Sequence, residues 1–160
     1  MRLPAALVAL GVSSVTFAQT ELLAPALSEW VLAERNAAVE RGVAPIPPEV
    51  REALTGFVAD ELLDSVRWRV DGHAMSLYPV FFTMGATPAV TLDYVVIFAA
   101  AEHAADPTLW AHEIYHVGQY RDWGIDGFAE RYLADYEAVE HDAAEFRWQW
   151  MKATGRVPAP

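Results

Sequence analysis

The most informative absence in this sequence is cysteine, of which the 160 residues contain none. A disulfide framework, a cysteine-ligated zinc finger, an iron–sulfur cluster and a thiol nucleophile are therefore excluded, and histidine and carboxylate side chains remain as the strong metal ligands. Basic residues are also scarce, with 11 lysines and arginines against 22 aspartates and glutamates and a formal net charge of −11. Because non-specific affinity for nucleic acid comes from basic side chains that neutralise phosphates, this balance argues against a nucleic-acid partner.

Internal repeats and low-complexity stretches are absent as well. Apolar residues make up 54% of the chain and aromatic residues 12%, a composition that excludes an intrinsically disordered protein. A chain of this length can bury roughly two thirds of the surface that its unfolded form exposes. We therefore expect one globular domain that folds without disulfides or repeated units.

A long apolar run occurs only near the N terminus. Arg2 precedes an apolar stretch over residues 3–15, and Ala18 places a small residue at a cleavage position before Gln19. This pattern is typical of a secretory signal peptide over residues 1–18. An uncleaved anchor or an N-terminal core helix is the alternative, although the run is shorter than the ~20 residues that a membrane span requires. We expect an exported soluble protein, periplasmic or secreted, without stable membrane insertion after cleavage.

The remaining chain divides by pattern into helices, a few strands and further helices. Helical spacing of apolar residues predicts a helix over 22–41, with Gly42 placed to end it. Shorter helices are predicted at 48–56 and 60–66, and strands at 66–70, 76–82 and 89–98. After Phe98 the pattern is helical, so the order of elements indicates the α+β class. The expected parts are a signal peptide (1–18), an N-terminal helical segment (19–44), the main domain (45–152) and a flexible tail (153–160).

The segment from Asp106 to Gly124 carries the strongest chemical signal. Asp106 is a good N-cap, Pro107 suits the first helical position, and Gly124 can end a helix in the left-handed conformation. Within this helix, His112 and His116 lie four residues apart in the sequence His-Glu-Ile-Tyr-His. Residues at this spacing lie above one another on one face, so both imidazoles can reach one tetrahedral Zn²⁺.

Glu113 adds a carboxylate beside the histidine pair. It lies one residue round the helix and flanks the fourth coordination position. A zinc ion held by three protein ligands keeps one position for water and lowers the pKa of that water, and a nearby carboxylate can take the proton. Glu113 is therefore the candidate general base, and a third ligand is required from elsewhere.

The next predicted helix offers that third ligand. Asp126 can cap it, and an apolar stripe from Phe128 to Trp150 defines its inward face. At about 100° per residue, Glu140 lies about 80° from the centre of the stripe and is the carboxylate most disposed to face the interior. Asp142 lies equally far round the other flank and is the alternative ligand or a partner that orients a histidine.

These motifs resemble those of the gluzincin zinc metallopeptidases, in which a third-ligand glutamate is commonly followed by an acidic residue and then alanine, as in Glu140-His-Asp-Ala. More narrowly, the residues around the histidine helix, including Val117 and Gln119, resemble short exported bacterial metallopeptidase-like domains related to the core domain of extracellular contractile injection systems. The resemblance covers roughly residues 45–150. It implies that His112, His116 and Glu140 bind zinc and that Glu113 is the general base.

We therefore expect a zincin-like α+β domain in which a small sheet packs on the active-site helix and a following long helix. The expected function is zinc-dependent hydrolysis of a peptide bond, with one catalytic Zn²⁺ and a peptide or protein as substrate. One alternative is a catalytically silent binding domain that keeps the zinc ion or only the fold. Another is an acidic helical interaction module without metal.

Further residues could contribute to such a cleft. His103 could line it, and a hydroxyl of Tyr115, Tyr120 or Tyr136 could donate to a tetrahedral intermediate. The predicted strand 89–98 could accept an extended peptide if it forms a sheet edge.

Overall fold

The computed structural model describes residues 17–71 and 87–157. In these ranges the chain forms helices around one four-stranded sheet, so the predicted α+β class is confirmed. The helices are α1 (Phe17–Glu40), α2 (Pro48–Leu54), α3 (Asp60–Ser65), α4 (Ala101–Ala104), α5 (Pro107–Ala134) and α6 (Tyr136–Ala153). The strands are β1 (Ala44–Pro45), β2 (Arg67–Val70), β3 (Ala89–Leu92) and β4 (Val95–Phe98). The predicted strand 76–82 and most of the predicted signal peptide lie outside the described residues.

Among the strands that the structure describes, the order in the sheet is β1-β2-β4-β3, with β3 as an outer strand. β2 runs parallel to β4, while β1 and β3 are antiparallel to their neighbours. All four residues of β4 are completely buried, because helices cover both faces of the sheet. Val96 and Phe98 join a core with α2, α3 and the start of α5, whereas Val95 and Ile97 join a second core with α1 and the end of α5. Successive side chains of β4 thus point to opposite faces of the sheet and belong to two different cores.

The single strand predicted over 89–98 is wrong, because this segment is a β-hairpin. Leu92 pairs with Val95, so Asp93 and Tyr94 form a two-residue turn. Asp93 has a φ of +58°, a conformation that aspartate tolerates better than most residues. The Arg35 guanidinium of α1 lies 2.5 Å from the Asp93 carboxylate and holds the turn against that helix. Apolar residues flank the turn on both sides, so the hydrophobicity pattern gives no sign that the strand is interrupted.

The start of α5 matches its predicted cap. The Asp106 carboxylate accepts a hydrogen bond from the Thr108 amide at 2.8 Å. Gly124 has the expected positive φ, +72°, but its ψ of 171° is extended and not that of the left-handed helical cap, and the residue separates two helical segments within α5. The helix changes direction there and continues to Ala134.

The single long helix predicted from Asp126 to Trp150 is wrong, because Asp135 divides it. The backbone of Asp135 is not helical (φ −156°, ψ 77°), and its side chain caps α6 by accepting a hydrogen bond from the Ala138 amide at 3.1 Å. Phe128 before the break and Val139 after it are both buried in the second core. The apolar stripe therefore continues across the break, and periodicity alone could not reveal it.

Helix α1 is part of this packing. Leu27 and Val31 are almost completely buried and belong to the core shared with β3 and the end of α5. Arg69 of β2 donates a hydrogen bond to the Gly42 carbonyl at 2.8 Å, which ties the segment after α1 to the sheet. In the described ranges no helix combines the length and the apolar character that crossing a membrane requires.

Candidate metal centre

The two predicted histidine ligands lie side by side on α5. The Nε2 atoms of His112 and His116 are 3.1 Å apart, and the rings meet edge to face with centroids 4.8 Å apart. His116 is buried, while 16% of the His112 side chain is exposed. Spacing of four residues on a regular helix therefore brings both imidazoles to one point, as predicted.

Glu140 reaches the same point from α6. Its Oε2 lies 3.2 Å from Nε2 of His112, and its Oε1 lies 3.6 Å from Nε2 of His116. For a tetrahedral ion with bonds of about 2.0–2.1 Å to nitrogen and oxygen, ligand atoms stand about 3.3 Å apart. The spacing and the chemistry of these three donors fit a zinc ion, and the described residues contain no second group of this kind.

Electrostatics at this group suit a cation. Burial acts to raise the pKa of Glu140, but hydrogen bonds and charge interactions with His112 and His116 outweigh it and hold the pKa far below its usual range. Burial acts to lower the pKa of His116, but Glu140, Glu113 and Gln119 together raise it. The group therefore favours an ionised carboxylate beside positive charge, which a metal ion would supply.

Glu113 is held by strand β3 of the sheet. Its side chain is buried, and Oε2 accepts a hydrogen bond of 2.7 Å from the hydroxyl of Thr91 on β3. The Thr91 oxygen also lies 3.1 Å from the Glu113 carbonyl oxygen. Sequence reasoning did not identify Thr91, because no local pattern links a strand residue to a helix residue 22 positions later.

A cavity of about 410 Å³ opens beside the three ligands. The described part of its wall includes Glu113 and Thr91 but no lysine or arginine. The described apolar part of the wall consists of Trp30, Val31, Ala89, Val90, Leu92, Tyr120, Phe128, Tyr132 and Tyr136. The cavity thus combines the polar residues of the ligand group, Glu113 and Thr91 with a wall that is largely aromatic.

The structure places some of the other predicted residues in the cavity wall and others away from it. Tyr120 and Tyr136 line the cavity, whereas the described part of its wall includes neither Tyr115 nor His103. Tyr115 stacks on Phe146. Asp142, the alternative third ligand, is exposed on α6 and does not join the ligand group.

Tyr132 is a cavity residue that the sequence analysis treated only as part of an apolar stripe. Burial, followed by the Glu140 carboxylate, raises the pKa of its hydroxyl far above the usual value. The hydroxyl therefore stays protonated at neutral pH, and it donates a hydrogen bond to the Glu140 carboxylate. Tyr132 and Glu140 lie eight residues apart, on either side of the break at Asp135. Their proximity in the cavity follows from that break, which the sequence pattern does not reveal.

Comparison with known proteins identifies one family. No curated protein and no solved structure matches the chain. The family model of the eCIS core domain matches residues 45–124, which is half of the sequence. The match includes His112, Glu113 and His116 and ends before Glu140. The chain belongs to the eCIS core domain family.

Proposed function

We propose that this protein is a zinc-dependent metallopeptidase whose metal is held by His112, His116 and Glu140. The observation that carries the proposal is the group of three ligand residues, in which the two imidazole Nε2 atoms are 3.1 Å apart and each lies 3.2–3.6 Å from an oxygen of the Glu140 carboxylate, with the Glu113 carboxylate one residue from the first ligand. A purely structural zinc site normally has four protein ligands, whereas three ligands leave a position for water. The adjoining cavity supplies room for a substrate.

Glu113 is the residue proposed to move protons. A bound zinc ion would polarise the scissile carbonyl group and lower the pKa of water. Glu113, oriented by Thr91, accepts a proton from the attacking water and delivers it to the nitrogen of the leaving amine. The protonated hydroxyl of Tyr132 is the candidate donor to the carbonyl oxygen as negative charge develops there.

The proposed substrate is a peptide or protein with an apolar side chain near the cleaved bond. β3 is the outer strand of the sheet among the described residues and contributes residues 89–92 to the cavity wall, so an extended peptide can lie along it. The aromatic side walls favour an apolar side chain, and the described part of the wall offers no lysine or arginine to pair with an acidic one. We include export from the cytoplasm in the proposal, as expected from residues 1–18.

The test is metal content followed by hydrolysis. Protein purified without a histidine tag and refolded with zinc should hold about one equivalent by mass spectrometry and should cleave members of a peptide library. A chelator should abolish cleavage, and Glu113→Gln should keep zinc while the rate falls at least ~100-fold.

The outcomes separate the candidate functions. Absence of bound zinc in the wild-type protein would contradict the proposal. Bound zinc without cleavage of any peptide would instead support the catalytically silent binding domain.

A further inference from the structure

A buried amide next to the ligand group has no part in the mechanism above. Gln119 lies on α5 one turn after His116, and only 5% of the residue is exposed. Its Oε1 is 2.7 Å from Nδ1 of His116, and its Nε2 donates a hydrogen bond to the Val139 carbonyl at 3.3 Å. Both polar ends of this side chain are therefore occupied by groups that belong to the metal centre or adjoin it.

The bond to Val139 determines which way the amide points. A backbone carbonyl can only accept a hydrogen bond, so the NH₂ group of Gln119 must face Val139 and its oxygen must face His116. The oxygen in turn requires a proton on Nδ1 of His116. In the neutral ring this leaves the lone pair on Nε2, the atom that faces Glu140 and His112.

The same amide also connects the two helices that carry the ligands. Val139 immediately precedes Glu140, so the bond from Gln119 restrains the backbone of α6 next to the third ligand. His112 has no comparable restraint, because its Nδ1 is buried without a hydrogen-bond partner among the described residues. One side chain therefore contacts both the ring of His116 and the backbone next to Glu140.

We propose that Gln119 is the positioning residue of the metal centre: it selects the Nδ1–H tautomer of His116 and holds α6 so that Glu140 meets the histidines. The inference rests on the proposed function for the presence of a metal ion, but it does not depend on peptide hydrolysis. Partners that orient metal-binding histidines typically contribute about 10- to 100-fold in metal affinity.

The experiment compares metal affinity with the stability of the metal-free protein. Gln119→Leu removes both hydrogen bonds at similar volume, whereas Gln119→Glu keeps an acceptor for Nδ1–H and loses the donor to Val139. Zn²⁺ affinity is measured by competition with a chromophoric chelator, coordination by the visible absorption of Co²⁺, and melting temperature after chelation. Gln149→Leu is the matched control, because Gln149 is an exposed glutamine on α6 whose side chain bonds Glu145.

We expect Gln119→Leu to lower Zn²⁺ affinity by about 10- to 100-fold and to change the Co²⁺ spectrum, Gln119→Glu to recover part of the affinity, and Gln149→Leu to match wild type. Equal Zn²⁺ affinity in wild type and Gln119→Leu, even with a lower melting temperature, would overturn the inference and leave the metal centre intact. If Gln119→Leu does not fold, Gln119→Asn replaces it, because its shorter amide cannot span the two partners. Failure of wild type to bind either metal would overturn the proposed function itself.

Discussion

Three carboxylates on α5 and α6, Glu113, Glu140 and Asp142, differ in their contacts and therefore in their chemical roles. Glu140 contacts both histidines, Glu113 contacts a strand, and Asp142 faces solvent. Each assignment can be tested on its own, because the three side chains have no hydrogen bonds to one another among the contacts described.

We predict that Glu140→Gln lowers zinc affinity by a larger factor than Glu113→Gln, because a neutral amide replaces an anionic ligand. Asp142→Asn is the matched control and should bind zinc like wild type. Zinc content after dialysis, measured by mass spectrometry, distinguishes the variants. Full zinc content in Glu140→Gln together with loss in Asp142→Asn would show that the third ligand has been wrongly assigned.

The hydroxyl of Thr91 gives a second prediction at the scale of single residues. Thr91→Val keeps the shape of the side chain but removes the donor to Glu113, and a hydrogen bond to a charged group is worth about 1.5–3 kcal/mol. We expect kcat for peptide hydrolysis to fall roughly tenfold or more while zinc content stays the same. Thr91→Ser retains a hydroxyl and should restore most of the rate; equal rates in the two variants would exclude an orienting role.

Between residues and the whole molecule, the breaks in the helical region decide where the ligands meet. α5 is interrupted at Gly124 and separated from α6 at Asp135. The first break allows Phe128 to pack beside His116, with ring centroids 6.1 Å apart. The second lets α6 place Glu140 against the histidines. Without these breaks a continuous helix would carry Glu140 away from the site, since each residue adds about 1.5 Å along the axis.

Gly124 provides a prediction at the scale of this element. Its φ of +72° with a ψ of 171° lies in a region that is essentially restricted to glycine and costs other residues about 1–3 kcal/mol, although a Cβ atom there would meet nothing within 4 Å. Gly124→Ala should therefore lower the melting temperature by several degrees, given about 2–4 °C for each kcal/mol in a protein of this size.

Gly118→Ala is the control for this substitution. Gly118 lies inside regular helix, and its added Cβ would be 3.6 Å from a Leu62 methyl group, an ordinary contact. Alanine is favoured over glycine in a helix interior by about 0.5–1 kcal/mol, so this variant should be as stable as wild type or more stable. Equal losses in both variants, measured by thermal unfolding, would contradict the conformational explanation.

At the scale of the whole molecule, the site is assembled from parts inside and outside the family match. Residues 45–124 supply β2, β3 and β4 of the sheet, both histidines and Glu113. Glu140 comes from α6, and Trp30 and Val31 of α1 complete the cavity wall. Under the proposed function, helices on either side of the matched residues therefore supply the third ligand and one wall of the substrate cavity.

The N-terminal boundary is the prediction that belongs to this scale. We expect exported protein to begin at or near Gln19, because Ala18 ends a short apolar run behind Arg2. N-terminal sequencing of protein recovered from outside the cytoplasm measures this directly. Exported protein that still carries Met1 or Arg2 would contradict cleavage and favour the uncleaved alternative.

Local sequence was sufficient for features that depend on neighbours within one or two turns. The Asp106 cap, the positive φ of Gly124 and the meeting of His112 with His116 all follow from short-range geometry. The orientation of Glu140 was inferred from an apolar stripe, and that inference succeeded although the helix assumed for it is broken at Asp135. The stripe marks the side that packs on the core, and this side is the same before and after the break.

The sequence by itself determined the α+β class, the helix that carries the histidine pair and the side chains that bring metal-binding chemistry. Only the tertiary structure decided that Thr91 holds Glu113, that Gln119 links His116 to α6 and that residues 89–98 fold as a hairpin. The physical reason is the range of the interactions. Caps and helix faces are set by residues three or four positions apart, whereas these contacts form only when separate elements are buried against one another.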